Sequence, residues 1–151
     1  MFKRILAAVD GSMPSLHALQ MASELAIQQK AELHILGVVP PLPAIALEGF
    51  SPEYLPTYHD DLEEATQKTL KNAEDETHRS YPELKVATHI KEGRVAKMIT
   101  ETAAEIGADL IVVGSRGTSG VLTWILGSVT REVADSCTVP VLIAKDPAYC
   151  T

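Results

Sequence analysis

The apolar positions of this chain fall into two rhythms. Residues 5–9, 33–39, 110–113 and 139–144 are short, nearly unbroken apolar runs, whereas Val86, Thr88 and Ile90 alternate with polar neighbours. An unbroken run of this length suits a strand covered on both faces, and an alternating one suits a strand nearer a sheet edge. Between the runs the spacing changes to three and four. Leu16, Leu19, Ala22, Leu25 and Ala26 form one such set, Leu62, Ala65, Leu70 and Ala73 a second, and Val95, Met98, Ile99, Thr102, Ala103 and Ile106 a third. That spacing gathers apolar groups on one face of a helix. Pro14 suits the first turn of the first helix, which is expected to reach about Gln29, and Gly107 stands where a C′ residue closes the third. The second helix is expected from Asp60 to about Tyr81, and a short last one over 128–136.

Five strands alternating with four helices predict one α/β domain over residues 1–151. Its expected form is Rossmann-like, a five-stranded parallel sheet in the order 3-2-1-4-5 with helices on both faces. In that order the first and fourth strands are neighbours at the point where the winding reverses. The residues at their carboxyl ends, Asp10-Gly11-Ser12 and Gly114, then border one crevice, where open α/β sheets bind ligands. Residues 40–61 interrupt the alternation. Five prolines there (Pro40, Pro41, Pro43, Pro52 and Pro56) argue against a regular element, while Phe50, Tyr54, Tyr58 and several aliphatic residues argue against a purely solvated linker. The stretch reads as a long irregular loop, serving as a lid or a partner-binding surface, with a tolerated insertion as the alternative.

The richest chemistry follows the fourth strand, in DLIVVGSRGTSGVLTWILGSVTRE over residues 109–132. An apolar strand, a glycine-rich loop and the start of a helix occur in that order. Glycines let a ligand approach the main chain, and the first amides of a helix, here Ser128, Val129 and Thr130, point outward with partial positive charge. Hydroxyls at Ser128 and Thr130 and the guanidinium of Arg116 are further donors for the same anion. The spacing is not G-x-x-x-x-G-K-[ST], since no lysine lies in the stretch, nor G-x-G-x-x-G directly after the strand. Asp10 carries two readings on local grounds: a carboxylate that accepts from a ribose hydroxyl or helps hold Mg2+, or an Asx turn that starts the next helix. Trp124, inside the loop, reads as a hydrophobic anchor.

The spacing that is present is G-x2-G-x9-G-[ST], filled by Gly114, Gly117, Gly127 and Ser128. Together with Asp10-Gly11-Ser12, Val38-Val39, Glu92-Gly93-Arg94, GADLIVVGSRG and VPVLIA, in this order, it resembles the universal stress protein family in its ATP-binding branch. The resemblance covers nearly the whole chain. It implies an ATP or AMP site in which Gly114, Arg116, Gly117, Gly127, Ser128, Val129 and Thr130 hold the phosphates. Asp10, with Ser12 beside it, would meet the ribose or a Mg2+ ion, and Val38 would meet the base through its backbone. It also implies a homodimer through the last strand, from Val139 to Ala144. Thr130 stands where many relatives have serine and keeps the hydroxyl.

Composition narrows the remaining choices. Apolar residues make up 46% of the chain and charged residues 22%, as in globular domains. A net charge of −7 argues against a nucleic-acid backbone as partner. Only five apolar residues separate Lys3-Arg4 from Asp10, too few for a signal peptide or a membrane span. Two cysteines without metal spacing, Cys137 and Cys150, fit a cytoplasmic protein. The five histidines, His17, His34, His59, His78 and His89, show neither i,i+4 pairing nor a CxxC companion, so a metal site is not expected from them. The function that the resemblance implies is that of an adenine-nucleotide-binding stress-response or regulatory protein with an unidentified protein partner. The alternatives are slow ATP hydrolysis on the same scaffold and a nucleotide-free interaction protein. Catalytic residues are not assigned, because Asp10 and Arg116 lack a third group to orient a nucleophile.

Overall fold

The computed structural model describes residues 1–41, 55–116, 127–136 and 139–149. Among these residues five strands and four α-helices alternate, followed by a 3-10 turn at Pro147–Tyr149: β1 (Arg4–Val9), α1 (Met13–Gln29), β2 (Glu32–Val39), α2 (Leu55–Ser80), β3 (Val86–Glu92), α3 (Val95–Ile106), β4 (Leu110–Gly114), α4 (Ser128–Asp135) and β5 (Val141–Ala144). The strands form one sheet in the order β3-β2-β1-β4-β5, and every pairing is parallel. The predicted architecture, including strand order, is the observed one.

Strand periodicity divides the core. Ile5, Ala7, Leu33, Ile35, Leu110 and Val112 face α1 and α2, where they meet Ala18, Leu19, Ala22, Leu70 and Ala73. Leu6, Leu36, Ile111 and Val113 point the other way, toward Ala96, Ile99 and Ala103 of α3 and Val133 of α4. This is why β1 and β4 read as unbroken apolar runs: each successive residue enters a different half of the core.

Two boundaries differ from expectation. The irregular stretch predicted for 40–61 gives way to helix at Leu55, not near Asp60. Pro56 does not prevent this, because the amide it lacks belongs to the first turn, where amides have no partner within the helix. The rest of that stretch, residues 42–54, lies outside the described residues. The last strand begins at Val141, not Val139. Pro140 still touches the ladder, since its carbonyl accepts from the Ile111 amide at 2.9 Å. Gly107 closes α3 with φ 67°, as its spacing predicts.

Gly37 fixes how close α2 lies to the sheet. A Cβ there would stand 3.1 Å from Cγ2 of Thr66, so glycine in mid-strand lets the helix settle against β2. The carboxyl ends of β1, β2 and β4 and the middle of α2 thereby come to border the same space.

Candidate functional site

That space is a cavity of about 390 Å3 at the β1/β4 reversal point. Asp10 and Ser15 border it after β1, Val38 and Pro40 at the end of β2, Gly114 and Arg116 after β4, and Gly127, Ser128, Val129 and Thr130 at the start of α4. Eight of the ten residues singled out in the sequence therefore border one cavity. Ser12 is adjacent to it through Asp10, and Gly117 lies outside the described residues, as do Trp124, Cys137 and Cys150.

The carboxylate of Asp10 forms an Asx turn. Its Oδ1 accepts from the Ser12 amide at 2.9 Å and from the Ser12 hydroxyl. Ser12 in turn is the N-cap of α1 and accepts from the Ser15 amide at 3.3 Å. The capping reading of Asp10 is thus present, and it leaves the residue exposed at the cavity rim.

Gly114 and Thr130 hold the two sides of the phosphate end together. A Cβ on Gly114 would lie 2.7 Å from the Pro14 carbonyl oxygen, so glycine is needed for β4 to pass under the start of α1. The Gly114 carbonyl accepts from the Thr130 hydroxyl at 2.7 Å. Thr130 is buried, and its hydroxyl hydrogen is committed to that carbonyl, so it is not the free donor its spacing suggested. Its backbone amide remains one of the first amides of α4. Gly127 caps that helix with φ −62° and ψ 157° and no side-chain bond. Its own amide donates to the Ser115 carbonyl at 2.9 Å, which seats the start of α4 against the end of β4. The amides of Ser128, Val129 and Thr130 are consequently presented without partners within the helix.

Arg116 is the least expected feature. Its side chain is 92% buried, and among the described residues neither Nε nor Nη1 has a hydrogen-bond partner. A buried guanidinium without an acceptor costs several kcal/mol, so an anion within its reach would be strongly favoured. This cation, the amides of α4 and the end of β4 border the same cavity.

The wall that sequence reasoning missed belongs to α2: Leu62, Ala65, Thr66 and Thr69. Gly37, alone within an apolar strand, was the available sign that another element comes close there. The Glu92-Gly93-Arg94 triplet braces the site from outside. Glu92 holds His59 of α2 at 2.6 Å, the Gly93 amide donates to the Val39 carbonyl at 3.0 Å, and Arg94 pairs with Glu132 of α4.

The model of the universal stress protein family matches residues 1–145. The chain belongs to the universal stress protein family. Universal stress protein YxiE of Bacillus subtilis is 37% identical over 150 residues, covering 96% of this chain and 100% of the relative. Among solved structures, a universal stress protein family protein from Arabidopsis thaliana with AMP bound shares the fold with a TM-score of 0.69. It is 18% identical, and the match covers 97% of this chain and 93% of that one. A universal stress protein in complex with cAMP gives a TM-score of 0.63 at 23% identity, covering 95% and 97%. At these identities the likeness to the two structures is one of fold. No helix among the described residues is long and apolar enough to cross a membrane.

Proposed function

We propose that this universal stress protein binds an adenine nucleotide, ATP or AMP, in the β1/β4 crevice and acts as a cytoplasmic regulatory homodimer. Gly114, Gly117, Gly127, Arg116 and the amides of Ser128, Val129 and Thr130 form the phosphate end. Asp10, steadied by Ser12, takes the ribose or shares a Mg2+ ion with the phosphates. The Val38 backbone meets the base. The observation that carries this reading is the buried guanidinium of Arg116, which borders the cavity without an acceptor among the described residues. Fold relatives holding AMP and cAMP support the same ligand class. Ligand-linked conformation, passed to a protein partner, is then the output, since a nucleotide that prefers one state enriches it.

Binding is favoured over turnover by what surrounds the cavity. Among its described lining residues Asp10 is the only carboxylate, and Ser12 already occupies one of its oxygens. Phosphoryl transfer needs a further group to orient the attacking water.

The test is calorimetric titration of nucleotide-stripped protein with ATP and AMP, with and without Mg2+, on the native chain and on Gly127→Val. The backbone angles of Gly127 are open to any residue, so the variant is expected to fold, losing at most about 1 kcal/mol from a poorer cap. A branched side chain at the cradle is expected to remove ATP binding. Equal affinity in both proteins would overturn the phosphate assignment, and no binding to the native chain would leave the nucleotide-free interaction reading.

A further inference from the structure

A second set of ligand-type side chains lies on the first turns of α2. His59, Asp60 and Glu63 each offer a donor atom, and the three atoms lie within 4.8 Å of one another. His59 and Glu63 are related by i,i+4 and share a helix face. Asp60 approaches from the adjacent position, with Oδ1 3.8 Å from Nδ1 of His59. Histidine-to-histidine spacing could not reveal this set, because it contains one histidine and two carboxylates.

The imidazole is oriented from a different element. Nε2 of His59 lies 2.6 Å from Oε1 of Glu92, the last residue of β3. A carboxylate only accepts, so Nε2 carries the hydrogen, and in the neutral ring the lone pair is on Nδ1, the nitrogen nearer Asp60. Ligating histidines in metal sites are held in this way, with the far ring N–H donated to a carboxylate. Three carboxylates face this one imidazole, which they push above its usual pKa, Glu92 first, so a metal ion competes with a proton for Nδ1. Among the described residues no lysine or arginine forms an ion pair with Asp60, Glu63 or Glu92.

We propose that His59 Nδ1 and the carboxylates of Asp60 and Glu63 bind a divalent transition-metal ion, with Glu92 positioning the imidazole. One imidazole with carboxylate oxygens, completed by water, suits zinc. Ligand atoms around tetrahedral zinc stand about 3.3 Å apart, so the carboxylates need to close inward by at most about 1.5 Å, and Asp60, with Oδ1 at 3.8 Å from Nδ1, by less. The ion joins the start of α2 to the end of β3. Leu62, between the ligands, borders the nucleotide cavity, so the clamp fixes one wall of that cavity. The site itself does not depend on the nucleotide reading.

The experiment is titration of the full chain, freed of metal and nucleotide, with Zn2+ against a chromophoric indicator, and with Co2+ followed by its visible spectrum. One ion per chain is expected. His59→Ala should weaken binding at least 100-fold and Glu92→Gln 10- to 100-fold, while His78→Ala, elsewhere on α2, leaves it unchanged. Glu63→Gln, a conservative change on an exposed surface, supplies the same readout if the histidine variant folds poorly. Circular dichroism of all four variants in EDTA should match the native chain. No saturable binding, binding indifferent to His59 and Glu63, or a thiolate-to-cobalt band that places the ion on cysteine would each overturn the proposal.

Discussion

At the scale of single residues, the most informative side chain is the one whose energetics are worst. Arg116 is 92% buried, and Nε and Nη1 have no acceptor among the described residues. If the guanidinium exists to meet a phosphate, the ligand-free protein bears its desolvation cost. Arg116→Met keeps an unbranched apolar stem and removes the charge. ATP affinity is expected to fall 10- to 100-fold, which corresponds to about 1.4–2.8 kcal/mol. The melting temperature of the ligand-free variant should be unchanged or higher, because a buried charge whose Nε and Nη1 lack acceptors among the described residues has been removed. Unchanged ATP affinity together with a melting temperature several degrees lower would make Arg116 a structural residue. Gly114 and Thr130 teach the complementary lesson. Their spacing marked them as phosphate ligands, yet each has a packing duty of its own, one beneath Pro14 and one on the Gly114 carbonyl. Sequence spacing locates a site without dividing scaffold from contact.

At the scale of elements, what was legible followed burial. β1, β2 and β4 announce themselves because both faces are covered, and α3 does so because its apolar residues repeat at helical spacing up to Gly107. The start of α2 was misread because Pro56 signals a break unless its place in the first turn is known, and only the fold supplies that place. The α2 wall of the cavity was invisible for a related reason: Leu62, Ala65 and Thr66 look like any helix face until Gly37 brings them to the sheet. Pairing between strands was also hidden. His34 and His89, diagonal neighbours on β2 and β3, lie with Nδ1 and Nε2 2.8 Å apart and ring centroids 5.1 Å apart, nearly coplanar at 12°. With so short a nitrogen separation the rings meet end to end as a hydrogen-bonded pair, not face to face. On the other side of His34, Glu32 accepts from Nε2 at 3.3 Å and from Lys85 at 2.8 Å.

This edge of the sheet sets a pH dependence. Burial, and then the neighbouring His34 and Lys91, push the His89 pKa below its usual 6.5, against a smaller opposing pull from Glu105. A base depressed in the folded state takes up protons more readily when unfolded, so its contribution is complete above pH 6.5 and is lost as pH falls through the lowered value. The Glu32 carboxyl is lowered to about 2, first by its hydrogen bond from Lys85 and then by that from His34. Its contribution is present above its unfolded value of 4.5 and fades as pH falls toward 2. Both groups act in the same direction, His89 first. His59, whose pKa Glu92 raises, acts in the opposite sense over this range, so the prediction is a difference: from pH 7 to pH 5 the urea midpoint of the native chain should decline relative to that of His89→Gln. An equal change in the two proteins would remove His89 from the explanation.

At the scale of the whole molecule, the sheet has two edges with different chemistry. β3 carries Lys91 and Glu92, charges of the kind that discourage edge-to-edge pairing, whereas β5 is Val141-Leu142-Ile143-Ala144 with none. The ladder to β4 shows which groups of β5 are spare. The carbonyls of Pro140 and Ala144 accept from Ile111 and Ser115, so even-numbered residues turn their backbone groups toward β4. Val141 and Ile143 therefore turn theirs outward, away from the sheet. A second copy meeting this edge would pair with those groups and cover three half-buried apolar side chains. Ile143→Pro deletes one outward amide and none that serves β4, so it separates association from folding. The native chain is expected to sediment at twice its chain mass and the variant at one. Far-UV circular dichroism and ATP binding of the variant should be retained, because the crevice is built from β1, β2, β4 and the two flanking helices of a single copy. A variant that remains dimeric would move the interface away from β5. A native chain that sediments as a monomer at micromolar concentration would remove the dimer from the proposed function while leaving the nucleotide site untouched.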